Sequence, residues 1–332
     1  MKTRFSLSFL ALFLPALALA ADPLVIYSGR KDKFVKPVIA EFTKQTGIKV
    51  KIHSASSTAL INKLNLEGNR TSADLFISND AGNLQKGSEM NLFTPVSSDV
   101  ASNIPQNYRA SDNSWVGLSA RARVLVVNTE VKGLDFVNSV FDLADARLKN
   151  KLAITHSANG SYIAGVTVYM DKAGKDKTAS WLKGMKANVG DKVFNKHSKI
   201  VKAVASGKKS VGLVNHYYIY RHLAKHPKAP IKLRLPDQGK DGMGVAWNVA
   251  GAAIVKHSKN KQAAEKLMRF FVSEKGQKMF AEVNREYPTS KGLAAHKDVP
   301  AAGSFKVADV PMEVLGKRRD ETLDLIESAG MP

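Results

Sequence analysis

Cysteine is missing from all 332 residues. That excludes a disulfide scaffold, zinc–thiolate sites, iron–sulfur clusters and cysteine nucleophiles. Acidic residues are few, 29 against 50 Lys and Arg, for a formal charge of +21. Past the first twenty positions no apolar run is long enough to span a bilayer. The chain carries no phosphate loop, no dinucleotide-binding G-x-G-x-x-G after its first strand, no G-x-S-x-G elbow and no H-E-x-x-H. Internal repeats and low-complexity linkers are absent too. What remains, with 44% hydrophobic residues, is a globular chain long enough for one large domain or two lobes.

The N-terminus reads as an export signal. Lys2 and Arg4 precede an apolar stretch from Phe5 to Leu19, which ends in Ala18-Leu19-Ala20, a small-x-small cleavage pattern. Cleavage there would start the mature chain at Ala21 with 48 basic and 29 acidic residues, a charge of +19. With no cysteine to carry a lipid, the expectation is a soluble protein of a bacterial periplasm.

The mature sequence alternates between two periodicities. Leu24–Ile26 reads as a strand. Phe34, Val38 and Phe42, with Val35 and Ile39 beside them, form a helical stripe closed by Gly47. Ile48, Val50 and Ile52 alternate as a strand. Ser57 and Thr58 stand where an N-cap belongs, before the helical Leu60, Ile61 and Leu64. Leu75–Ile77 is a buried strand. Further strands are expected at 124–127, 152–155, 211–214 and 250–255. Further helices are expected around Trp181–Met185, Ile200–Val204 and Leu267–Phe271, with one or two terminal helices at Leu315, Leu323 and Ile326. This rhythm predicts an α/β fold with mostly parallel sheets and helices on both faces.

The sharpest local feature is Asn215-His216-Tyr217-Tyr218, directly after the strand at 211–214. Open α/β folds bind ligands at the carboxyl ends of strands. A phenolate is a hard oxygen ligand suited to a hard cation, although its proton must first be displaced. From the pair alone, packing against the next helix reads equally well. His216, His222 and His226 form the tightest histidine group and are read as solvated surface residues beside Arg221, Lys225 and Lys228.

Several segments together resemble the periplasmic ferric ion-binding proteins, the substrate-binding components of iron ABC importers. They are Val25-Ile-Tyr-Ser-Gly-Arg30, Phe42 to Val50, Ala73-Asp-Leu-Phe76 with Asp80-Ala-Gly82, Gly117 to Val124, Lys202-Ala-Val204 leading to Val214-Asn-His-Tyr-Tyr218, and Asn284-Arg-Glu-Tyr-Pro288. The resemblance implies a type II periplasmic binding protein fold, two α/β lobes that close by a hinge on a ligand between them. It places the first lobe in 21–122 with about 250–286, and the second in 123–249 with about 287–332.

Carried over position by position, the resemblance makes Tyr217 and Tyr218 ligands of Fe(III). Tyr162 stands where some members place a third ligand tyrosine, and it also fits a core aromatic. Arg121 matches the arginine that holds a synergistic anion, commonly carbonate. Gly160 and Ser161 match the loop that gives that anion backbone amides, at what reads as a helix start. Asn215 and Asn195 resemble polar residues near the anion. Ser57 and Thr58 are possible contacts from the first lobe, and simple capping explains them as well. The histidine or tyrosine that many members place after the first strand is missing from Arg30-Lys31-Asp32. Asn79 occupies the region where others have a glutamate, and three phenolates with a bidentate carbonate leave water or Asp80 as a possible sixth ligand. Tyr27 is read as part of its strand.

The implied role is non-catalytic binding of iron with an anion and delivery to an inner-membrane permease and its ATPase subunit, by a monomer. A second reading keeps the fold but gives the cleft an organic or phosphorylated anion held directly by Arg121 and the Gly160 loop. The eleven lysines between 171 and 209 read as a solvated basic face, and an exported chain without a recognition motif is not expected to bind nucleic acid.

Overall fold

The computed structural model describes residues 22–332; the export signal expected at 1–20 lies outside them. Among the described residues no helix is long and apolar enough to cross a membrane.

The chain opens with β1 (Leu24–Ser28) and α1 (Asp32–Thr46). Val35, Val38, Ile39 and Phe42 are the buried stripe of α1, and Gly47 ends it at φ 72°, its N–H bonded to the Thr43 carbonyl at 2.8 Å. Glycine adopts that left-handed conformation without a Cβ penalty. After β2 (Val50–Ser54), α2 (Ser57–Glu67) begins one residue earlier than the capping pattern implies. Ser56 is the cap, its hydroxyl accepting from Ala59 N at 3.2 Å. Ser57 and Thr58 therefore sit in the first turn. Their hydroxyls meet Ser78 Oγ at 3.1 Å and Asn83 Oδ1 at 3.2 Å. Next come β3 (Leu75–Ser78), α3 (Ala81–Glu89), the short β4 (Phe93–Thr94) and α4 (Ser98–Ala101).

The strand β5 (Val116–Asn128) is thirteen residues long and buried throughout. It leads through β6 (Leu152–Ala153) to α5 (Gly160–Ala173), α6 (Lys175–Val189) and α7 (His197–Ala205). Then follow β7 (Val211–Asn215), α8 (Tyr217–Leu223), β8 (Ile231–Arg234) and β9 (Trp247–Val255). The chain finishes with α9 (Lys261–Val272), α10 (Glu274–Glu282), β10 (Tyr287–Pro288), α11 (Val314–Lys317) and α12 (Arg319–Ser328).

The strands hydrogen-bond in the order β2-β1-β3-β9-β5-β7-β6. Alternate residues of a strand face opposite sides. In β1 and β3, Ile26, Leu75 and Ile77 join a core with Phe42 and Phe271, while Tyr27 and Phe76 join the core on the other face. Among the named strands, parallel pairing is confined to β1 with β2 and β3, and to β6 with β7. The sheet is therefore mixed rather than mostly parallel, because β5 and β9 run through its middle antiparallel to their neighbours. The first part of β5, Val116–Ala122, pairs with β9, and Arg123–Val127 pairs with β7. One continuous strand thus links the two halves.

The C-terminal segment does not return to the second half at 287. Tyr287 and Pro288 pair with Ala120 and Ser119 of β5, and α11 packs on α3. Glycines allow that close crossing: a Cβ on Gly316 would lie 2.5 Å from the Gln85 side chain, and one on Gly82 2.9 Å from the Leu315 carbonyl. The segment meets the second half at Val307, which bridges Val245, and then through α11 against α5 and α12 against α5 and α6.

Candidate functional site

A cleft of about 480 Å³ opens between the α1–α3 side of the molecule and the α5, α7 and α8 side. Its floor follows from register. Arg123 of β5 lies opposite Asn215, the last residue of β7. The two-residue period then puts Ser119, Arg121 and Arg123 on one face of β5.

Asn215 organises the wall. Its Nδ2 donates to Tyr217 Oη at 3.1 Å and to Ser161 Oγ at 3.2 Å, and its Oδ1 accepts from Arg123 Nη1 at 3.3 Å. Tyr217 and Tyr218 open α8, and both line the cleft with ring centroids 4.6 Å apart. Tyr217 beside it, together with burial, raises the Tyr218 phenol above its ordinary pKa. His197, the first residue of α7, lies almost flat on Tyr218, with centroids 5.0 Å apart and 15° between planes. Burial, then Arg123 and Arg121, hold His197 well below the usual imidazole range, so it is neutral at pH 7.

Arg121 lines the cleft, is 5% exposed, and its buried Nη1 has no partner among the described residues. Arg123 lies deeper; burial pulls it down to about 10, which leaves it protonated at neutral pH. Gly160 and Ser161, at the start of α5, line the same wall beside Asn215. Asn159 caps that helix, its Oδ1 accepting from Ser161 N at 3.1 Å and Tyr162 N at 3.3 Å. The Ser161 amide is thus already engaged by the cap, while its hydroxyl is held by Asn215.

Tyr162 does not join this lining. Its side chain is 1% exposed in the core, and Oη has no partner among the described residues. Burial raises its phenol, against the pull of Arg123. Asn195, Ser57 and Thr58 do line the cleft. So does Asp80, but its carboxylate is committed: it caps α3 through Gly82 N at 3.1 Å, accepts from Asn83 Nδ2 at 2.5 Å, and lies 3.9 Å from Arg319 Nη1. Tyr27 lies in β1 with its hydroxyl on Glu67, as the strand reading requires.

The cleft is electropositive. Lys31, Lys196, Arg121, Arg221 and Arg319 reach it; among the described residues its lining carboxylates are Asp80 and Glu286. Burial would raise Glu286, but Arg30 and Arg121 outweigh it and hold the carboxyl below the ordinary range. Among the described residues no three His, Asp or Glu side chains converge as a metal site requires. A metal here therefore depends on the phenols.

His216 corrects the surface reading. It is 1% exposed, because the turn from β7 into α8 points it inward against β5. His222 and His226 stay on the outer side of α8, rings 4.7 Å apart and away from the cleft. His197, Arg123, Lys196, Arg319 and Glu286 are site residues that pattern reading passed over. Arg123 was signalled by its two-residue spacing from Arg121; His197 sits in a polar helix start with no distinguishing motif.

Residues 38–307 match the model of the bacterial extracellular solute-binding proteins. The chain belongs to that family. Among its relatives, Iron uptake protein A1 of Synechocystis is 29% identical over 92% of this chain and 86% of its own length. The Major ferric iron-binding protein of Neisseria meningitidis is 28% identical over the full length of both chains. A solved Trichodesmium structure (IdiA, FutA), described in complex with iron and citrate ligands, superposes with a TM-score of 0.85 at 30% identity, covering 94% of this chain and 100% of that one. The architecture is the type II periplasmic binding protein fold.

Proposed function

We propose that this chain binds ferric iron in the periplasm and hands it to an ABC-type permease and its ATPase subunit. The observation that carries the reading is the adjacent phenol pair of Tyr217 and Tyr218 on the wall of an electropositive cleft. Relatives named as iron-uptake and ferric iron-binding proteins, aligned over nearly the whole chain, support it.

Iron is the cargo, and the chain's own chemistry is to hold and release it. Two phenolates supply hard oxygen ligands, and their protons must leave as the metal arrives. The unpartnered Arg121 Nη1 suits a synergistic anion such as carbonate, which a guanidinium can hold by paired charge-assisted bonds. Gly160 and the Ser161 hydroxyl lie on the same wall as the phenols, with Asn215 and Asn195 nearby. Tyr162 would become a third ligand only by turning out of the core. Asp80 already caps a helix, so the first lobe, with Ser57 and Thr58, covers the metal and excludes water rather than ligating it. The protein acts as a monomer exported by a cleaved signal peptide, without catalysis and without nucleic acid.

The same cations would suit the second reading, an organic or phosphorylated anion held directly. Analysis of the protein recovered from a periplasm separates the two. The iron reading expects stoichiometric iron and a coloured protein. A colourless protein carrying a stoichiometric organic anion and no iron would overturn it.

A further inference from the structure

The segment from Lys192 to Pro236 carries eleven Lys and Arg and none of the chain's 29 acidic residues. Eight of the eleven are exposed. None of them has an ion-pair partner among the described residues, whereas Lys186, just before the segment, is paired with Asp191. Packing does not demand these charges: α7 is held by its buried Ile200, Val201 and Val204, and Lys199 and Lys202 stand outside that stripe.

The fold gathers part of this charge around a groove of about 310 Å³ between α7 and α8. Lys202 of α7 lines it with Arg221, His222, Lys225 and His226 of α8 and its exit, and no carboxylate does so among the described residues. The groove adjoins the rim of the cleft at Arg221 and Tyr218, but Lys202, His222, Lys225 and His226 lie outside the cleft. Burial, then His226 and Lys202, lower the His222 imidazole. Burial, then Arg221, Lys31 and Lys225, lower the Lys33 ammonium of α1. Self-repulsion of this kind opposes the compact state unless something anionic covers it.

A guanidinium among ammonium groups suits phosphate oxygens. A small phosphate in the groove would leave Lys192, Lys208, Lys228 and Lys232 outside its lining; an extended anionic surface reaches both sets. Among the described residues the exposed large hydrophobics are Leu66 and Leu323, so this face carries no anchor for a bilayer core and its contact is electrostatic.

We propose that the α7–α8 face is a docking surface for an anionic phospholipid bilayer, with one headgroup phosphate seated in the groove. It rests on the periplasmic reading above only for which membrane is met, and it would hold the protein beside its permease. The lipid contact does not need iron.

Sedimentation of the iron-free protein with vesicles tests this. The protein should partition onto vesicles of phosphatidylglycerol with phosphatidylcholine, not onto phosphatidylcholine alone, and raised salt should release it. Replacing Lys202, Lys225 and Lys228 together by Gln should lower the partition by about 100-fold. The same change of charge at Lys259, Lys261 and Lys266, around the start of α9, should leave it unaltered. Circular dichroism checks that both triple variants fold, and neither set lines the cleft. Equal partition of the wild type onto both vesicles, or equal losses in the two variants, would overturn the proposal. So would tight binding of inorganic pyrophosphate without any vesicle partition, which would give the groove to a soluble phosphate compound.

Discussion

Arg30 and Glu286 form a buried ion pair, Nη2 to Oε2 at 2.5 Å, between the loop after β1 and the residues before β10. Ser119 of β5 joins both partners: its Oγ accepts from Arg30 Nη1 at 3.0 Å and donates to Glu286 Oε2 at 2.6 Å. Three distant chain segments are thereby fixed at the edge of the cleft. Removing one partner leaves the other charge buried and unpaired. Arg30→Met should destabilise the protein by about 3–5 kcal/mol, measured as a fall in the urea midpoint, whereas Arg30→Met with Glu286→Gln should recover part of the loss. A single variant as stable as the wild type would show that the pair contributes nothing.

His216 sets the pH dependence of stability. Its Nδ1 accepts from Ala122 N at 3.2 Å, which fixes the tautomer so that Nε2–H donates to the Arg285 carbonyl at 2.7 Å. Burial lowers its pKa to about 4, despite the opposing Arg285 carbonyl and Glu286. The unfolded chain takes up a proton near pH 6.5, and the folded chain resists until about pH 4. Stability should therefore be flat above pH 6.5 and fall as pH drops from there to 4, by about 3 kcal/mol from this residue. His197 contributes in the same direction. Melting temperatures across that range check it: His216→Asn should start lower but show a shallower slope, and an unchanged slope would remove His216 from the account.

Elements with one dominant periodicity were legible in the sequence. The stripe of α1, its glycine end, and the apolar runs of β1, β3 and β7 all appear where their patterns put them. The crossing strand was only half legible. Residues 124–127 are continuously apolar, but Ser119, Arg121 and Arg123 alternate with Leu118, Ala120 and Ala122, a pattern that fits a solvated strand face. In the fold that polar face is buried beneath the cleft. The tyrosine pair could be read from its place at a strand end. The stacking of His197 on Tyr218 and the pairing of Arg30 with Glu286 depend on contacts between residues 21 and 256 positions apart, which no local pattern encodes.

Arg121 should couple iron to an anion. Arg121→Ala removes the guanidinium that faces the cleft without touching the phenols. The expected loss of iron affinity is about 10–100-fold, together with loss of any dependence on bicarbonate, while the circular dichroism of the iron-free form is unchanged. Equal affinities with and without bicarbonate, in wild type and variant alike, would mean that no synergistic anion sits at Arg121.

The phenol pair is the centre of the account, and a ferric titration of the iron-free protein followed by visible absorption tests it most directly. Phenolate coordination gives a broad charge-transfer band, which should saturate at one equivalent of iron and weaken in acid as the phenols are reprotonated. In Tyr217→Phe with Tyr218→Phe the band should vanish and tight iron binding with it, while the double variant keeps the wild-type fold by circular dichroism. A band of unchanged intensity in the double variant would place the iron elsewhere and contradict the assignment.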